Sequence, residues 1–191
     1  LVILRRPNDD WPILIAANRD EMTDRLASSP SRHWKDRKNV IAGKDELASG
    51  TWLALNDDRL VAAVINGQDS LGPTPNKRSR GELPLEACDH AGAIEAARAM
   101  SNIEPTSYRS FNMIIADTVE AFWIKSNGKS ILTTPIPEGL SMITSEDLNS
   151  IVQSSRIRFH LNRFRHAKPP DPQKGDWDEW RAFNIFKYYI R

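Results

Sequence analysis

Four residues with chemistry to offer follow one another directly: Asn18, Arg19, Asp20 and Glu21. They end the apolar run Ile13-Leu14-Ile15-Ala16-Ala17, which reads as a buried strand. Side chains that follow such a strand emerge at the rim of a sheet, where opposite charges can be held a few ångströms apart and face a cleft. The plainer alternative is a strand end with a solvated charged turn, since most charge clusters are surface features. The pattern recurs: Leu60-Val61-Ala62-Ala63-Val64-Ile65 runs into Asn66-Gly67, again an apolar strand delivering an amide at its end. Asn66 is equally a turn residue ahead of its glycine. The single cysteine, Cys88, has no basic residue one turn away and reads as a small core residue rather than a reactive thiol.

The elements that must position these groups are mostly β. Leu1 to Leu4 and Ile13 to Ala17 flank Arg5-Arg6-Pro7-Asn8-Asp9-Asp10, dense in turn formers, and predict an opening hairpin. Residues 22–39 lack a period and read as a long loop anchored by His33 and Trp34. Val40 to Gly43, Gly50 to Leu55 and Leu60 to Ile65 read as strands, the last two joined by Asn56-Asp57-Asp58-Arg59. Residues 69–81, with Gly72, Pro73, Pro75 and Gly81, form a polar loop that can act as a lid.

Leu83, Ala87, Ala91, Ile94 and Ala97 recur at spacings of three and four, which predicts one helix from Leu83 to Met100 with Gly92 as a blemish. Phe111 to Ala116 and Ala121 to Lys125 predict a second hairpin pair, and Ile131 to Thr133 a short strand. From Leu148 the pattern turns helical through Ile151, Val152, Ile157, Leu161 and Phe164, until Pro169, Pro170 and Pro172 end it. Trp177, Trp180, Phe183, Phe186, Tyr188 and Tyr189 make an aromatic tail, best laid as a helix over the sheet.

With 191 residues, 40% hydrophobic and 27% charged, the chain has the size and composition of one globular domain. A net charge of +1 gives no global attraction for nucleic acid. The basic segment with Arg156, Arg158, Arg163, Arg165 and Lys168 can dock on a nucleic acid or an anionic surface, but the acidic stretch Asp171 to Glu179 balances it, so a solvated face is expected. One cysteine excludes an internal disulfide and a multi-thiolate metal site. A reducing compartment is compatible, and a cytoplasmic location is expected. No apolar run approaches the ~20 residues of a membrane span, and no signal-peptide succession is present.

The tetrapeptide at 18–21 is followed in order by Ala42-Gly43-Lys44-Asp45, Ser49-Gly50-Thr51-Trp52-Leu53-Ala54, Ser79-Arg80-Gly81-Glu82-Leu83 and Phe111-Asn112. With these motifs the chain resembles the NRDE family, which includes the transport and Golgi organisation protein 2 homologues. Family members look like N-terminal nucleophile hydrolases, so the resemblance implies an α+β fold, a four-layer αββα sandwich of two antiparallel sheets in one domain. In that fold the nucleophile is the first residue of the mature chain, in this family normally a cysteine after the initiator methionine. A free α-amino group has a pKa of about 8 and can take the proton of its own side chain, so one residue serves as nucleophile and base. No cysteine stands at or near Leu1, and similar proteins continue past the equivalent of Arg191 into further strands, so the chain is expected to be shorter than the family at both ends.

Similarity to the cysteine-dependent conjugated-bile-salt and penicillin amidases implies roles for individual residues. Arg19 would lower the thiol pKa by its fixed charge and Asp20 would orient the α-amino group. Asn66 is the candidate oxyanion donor and Asn18 the alternative polar contact. Trp52 would wall an apolar substrate pocket, and Arg80 would meet a carboxylate. Each has a structural alternative: Arg19 and Asp20 pair with each other, Asn66 fills a turn, Trp52 belongs to the core. The expected geometry brings Arg19, Asp20 and Asn66 within about 8 Å of Leu1's amino group, the reach of two further residues at ~3.3 Å each. The reaction implied is cleavage of a small amide through a cysteinyl thioester, with a small-molecule substrate and no cofactor. The family also suggests haem handling or trafficking by the same fold without catalysis, with His33, His90, His160 and His166 as candidate axial ligands.

Overall fold

The computed structural model describes residues 1–18, 25–70 and 72–183. They divide into two compact units, residues 1–18 with 137–183, and residues 25–136. The first unit opens on the expected hairpin, β1 (Val2–Arg5) and β2 (Ile13–Ala16), paired from Val2↔Ala16 to Arg5↔Ile13. Arg6 N donates to Pro12 O at 2.7 Å to close the turn.

The second unit is a seven-stranded antiparallel sheet whose neighbours follow sequence order: β3 (Ala27–Ser31), β4 (Val40–Asp45), β5 (Leu53–Asn56), β6 (Val61–Asn66), β7 (Phe111–Ala116), β8 (Ala121–Ser126) and β9 (Ile131–Pro135). The turns are tied by their own side chains. Asn56 Oδ1 accepts Leu60 N at 2.9 Å, and Asp117 Oδ1 accepts Val119 N at 2.8 Å and Glu120 N at 2.7 Å. The described part of the expected loop at 22–39 contains β3. Ala-Ser-Ser-Pro-Ser carries no apolar alternation because β3 is an edge strand, where Pro30 and the register shift between Ser28 and Ser31 discourage further pairing.

Helices α1 (Leu83–Ala87) and α2 (Ala93–Ser101) cover one face of this sheet. The single helix expected over this stretch is broken because the Cys88 and His90 carbonyls turn to Asn56 Nδ2, at 3.1 and 2.8 Å. Asp117 Oδ2 then accepts Ala93 N at 2.8 Å and starts a new helix, with extended Gly92 as its N-cap. Ala42, Ala54 and Ala62 let the helices approach the sheet closely, while Met113, Ile115 and Ile124 supply burial worth about 1.5–3 kcal/mol each.

The chain returns to the first unit with β10 (Gly139–Met142), which pairs with the free side of β1. Leu1 N donates to Ile143 O and Ile143 N to Leu1 O, both at 2.9 Å, so the ladder runs to the first residue. Asn149 closes the outer edge of β10, donating its N–H to Met142 O at 2.9 Å and accepting Met142 N on Oδ1 at 2.8 Å. This edge closure is why the helix expected from Leu148 begins later, as α3 (Ser155–His166) with Ser154 Oγ capping Ile157 N. Ile157, Leu161 and Phe164 pack on Val2, Leu4 and Leu14. The short α4 (Asp178–Arg181) brings Trp180 against Phe164, ring centroids 5.3 Å apart. Phe186, Tyr188 and Tyr189 lie outside the described residues.

Two antiparallel sheets, each backed by helices, make the α+β architecture that the sequence predicts. Among the described residues, no helix is long and apolar enough to cross a membrane.

Candidate functional site

Asn66 closes β6 opposite Phe111, and the segment beyond it is fixed by a compact hydrogen-bond network. Gly67 N donates to Ser110 O at 3.0 Å. The Ser70 hydroxyl lies 2.8 Å from Gly67 O and 2.9 Å from Ser110 O. Arg80 reaches into the same point, with Nη1 donating to Ser70 Oγ at 2.7 Å and to Ser110 O at 2.9 Å, and Nη2 to Ser70 O at 2.8 Å. Arg80, expected to meet a carboxylate, thus donates twice to Ser70 on the loop behind Asn66 and once to Ser110 just ahead of β7. The Asn66 side chain is half-buried and makes no hydrogen bond among the described residues. An amide held at a strand end with its own donors uncommitted is chemically available.

The stretch expected to form a lid is tethered at Asp69, Gly72 and Arg78. Arg109 donates to Asp69 O at 2.9 Å and Gly72 O at 3.0 Å, and Arg78 N to Ser107 O at 2.8 Å. Asn66 is therefore carried on a braced frame.

Trp52 is half-buried and lays its six-membered ring over Gly43, where a Cβ would stand 2.9 Å from two ring carbons. The glycine in the 42–45 segment is thus what admits the tryptophan in the 49–54 segment. Asp45 N donates to Gly50 O at 2.8 Å, and Thr51 N to Gly81 O at 2.8 Å, so three sequence motifs meet through their backbones. Asp45 accepts Arg25 Nε at 3.0 Å. Burial pushes the Asp45 carboxyl up, but the Arg25 hydrogen bond and charge and the Leu47 and Ala48 backbone donors outweigh it and hold the group below the usual carboxylate range.

Asn112 was visible in the sequence only as part of a motif, and the structure makes more of it. It is completely buried and accepts Trp123 Nε1 at 2.9 Å. Strand alternation puts it on the face shared by Ile114 and Trp123, while Asn66 and Phe111 share the helix-bearing face with Ala62 and Met113. Its signal in the sequence is one amide inside the apolar run 111–116.

Arg19 and Asp20 lie outside the described residues. Asn18, just ahead of them, is exposed and belongs with Leu1 to the first unit, whereas Trp52, Asn66 and Arg80 belong to the second. Cys88 is buried, its Sγ 3.9 Å from Leu60 O, and burial followed by the nearby Asp89 charge pushes its thiol up to about 12. It is the core residue expected, not a nucleophile.

Of the histidines, His33 places Nε2 2.9 Å from Ser29 O, and His166 places Nδ1 2.7 Å from Asn162 O. His160 and His166 are six residues apart on α3, about 240° around the helix, so they do not face one ligand together. Among the described residues no group of three or more His, Cys, Asp or Glu is placed to hold a metal ion.

The family model described as Transport and Golgi organisation 2 matches residues 1–171 and so takes in segments of both units. No curated protein matches the chain.

Proposed function

The chain belongs to the Transport and Golgi organisation 2 family, and on that premise we propose that it is an amide hydrolase whose nucleophile is an amino-terminal cysteine ahead of the residues numbered here. The α-amino group takes the thiol proton, and the thiolate attacks the carbonyl carbon of a small amide. A C–S bond forms as the carbonyl oxygen gains negative charge. The α-ammonium then protonates the leaving nitrogen as the C–N bond breaks, and water releases the acid from the thioester. Arg19 favours the thiolate by its charge, Asp20 orients the amino group, and Asn18 is the alternative polar contact. Trp52 walls the apolar side of the substrate.

The observation that carries this reading is Asn66. Its side chain has no hydrogen bond among the described residues, while the loop behind it is braced through Gly67, Ser70, Ser110 and Arg80. A pre-positioned amide donor is what a developing oxyanion requires, and one such donor contributes about 3 kcal/mol. Arg80 acts here as a positioning residue.

Intact-mass analysis of the full-length protein treated with a thiol-directed electrophile tests the proposal. The expected result is rapid single modification of an amino-terminal cysteine, slowed in Arg19→Ala, with Cys88 untouched until the protein is denatured. Modification only after denaturation, or a mature chain that begins without a thiol, overturns it.

A further inference from the structure

Helix α3 turns Phe159 out to solvent with 62% of its surface exposed. The buried residues Ile157, Leu161 and Phe164 define the inner face, and the helical period sets Phe159 on the opposite one. Arg156 and Arg163 flank it on one side and Arg158 and Arg165 on the other. The helix contains no acidic residue. Just ahead of it, Ile151 and Val152 are 52% and 84% exposed.

The acidic stretch after the helix, expected to balance these arginines, faces other partners. Asp171 pairs with Lys174 at 3.0 Å, Asp176 with Lys168 at 2.7 Å and Asp178 with Arg181 at 3.5 Å, while Glu179 accepts Lys168 N at 2.8 Å. Arg158 and Arg165 make no ion pair among the described residues. Arg163 is held over the Phe159 ring at 4.9 Å and the Phe183 ring at 4.8 Å, which keeps its charge beside the exposed aromatic. One exposed phenylalanine needs no explanation. An exposed phenylalanine flanked by Arg158, Arg163 and Arg165, on a helix with no acidic residue that follows two exposed aliphatic residues, does.

We propose that this face of α3 docks the protein on an anionic phospholipid surface. Phe159, with Val152 and Ile151 ahead of the helix, enters the boundary between headgroups and acyl chains, and Arg158, Arg163 and Arg165 meet lipid phosphates and carboxylates. A nucleic acid would use the arginines but leave the aliphatic pair without a role. The inference stands on this unit alone and does not depend on the hydrolase reading.

Co-sedimentation of the full-length protein with phosphatidylcholine vesicles, with and without phosphatidylserine, provides the test. Binding is expected only to the phosphatidylserine-containing vesicles. Each arginine removed is expected to weaken it roughly fivefold, so Arg158→Gln with Arg165→Gln lowers partitioning about 25-fold. Phe159→Ser lowers it about tenfold and does so even at salt concentrations that screen the charges. Lys35→Gln with Lys38→Gln removes the same charge from exposed positions of the other unit and leaves binding intact. No binding to the anionic vesicles, an equal loss in the lysine pair, or binding to single-stranded or duplex nucleic acid in place of vesicles overturns the proposal.

Discussion

Gly50 and Gly81 meet backbone to backbone: a Cβ on Gly50 would stand 2.6 Å from the carbonyl carbon and oxygen of Gly81. The contact brings the strand segment that carries Trp52 against the turn that carries Arg80, and Thr51 N seals it by donating to Gly81 O at 2.8 Å. Because the obstacle is main chain, no rotamer change relieves it. Gly50→Ala is expected to lower the unfolding free energy by at least ~2 kcal/mol. Gly72→Ala, at a φ of +74° with nothing within 4 Å, is expected to cost only ~1 kcal/mol of backbone strain. Denaturant titration of the two variants checks the order, and equal losses contradict the backbone contact.

Arg80 is predicted to matter through the loop behind Asn66. Arg80→Gln removes the charged donors that reach Ser70 and Ser110 and is expected to destabilise the protein by about 2 kcal/mol. Hydrogen exchange of the amides around Gly67 and Ser70 should accelerate more than exchange in β7. Arg80→Lys should recover only part of both effects, since an ammonium lacks the planar fork that spans two acceptors. Full rescue by lysine contradicts this geometry.

Asp45 gives the fold a definable acid sensitivity. Its carboxyl is held below the usual range in the folded chain, so its contribution is present above about pH 4 and is lost as pH falls through the depressed folded value. Asp45→Asn is expected to cost about 2 kcal/mol at neutral pH, with the two proteins converging in stability at the acid end. A difference that stays constant down to low pH contradicts the Arg25 pairing as its source.

The parts of the fold legible in the sequence were those with strong local signals. The hairpins on either side of Arg59 and Asp117 follow from apolar runs interrupted by turn residues, and both formed. What escaped depended on distant partners. Strand β3 is polar because it is an edge, β10 is four residues that read as strand only beside β1, and the break after Ala87 is made by Asn56, far back in sequence. The late start of α3 has the same origin, since Asn149 serves β10 rather than a helix.

The candidate residues differ in what the sequence showed of their surroundings. Asn66 stood out as an amide at a strand end, while Arg80 was singled out only through the family resemblance, as a partner for a carboxylate; the structure joins their segments through Ser70 and Ser110. That the arginine would turn inward onto the loop was not readable, because the acceptors are a serine and a carbonyl with no pattern of their own. Asn112 was hidden for the opposite reason: a lone amide in an apolar run looks like a defect until Trp123 supplies its donor.

The most direct measurement of the central claim is the rate at which the full-length protein forms a covalent acyl adduct with an activated acyl ester, followed by intact mass in the native chain and in Asn66→Ala. One adduct on the amino-terminal cysteine and none on buried Cys88 are expected, with acylation slowed about 100-fold or more when the amide is removed. Acylation at an unchanged rate in Asn66→Ala, or no adduct at all, would contradict it.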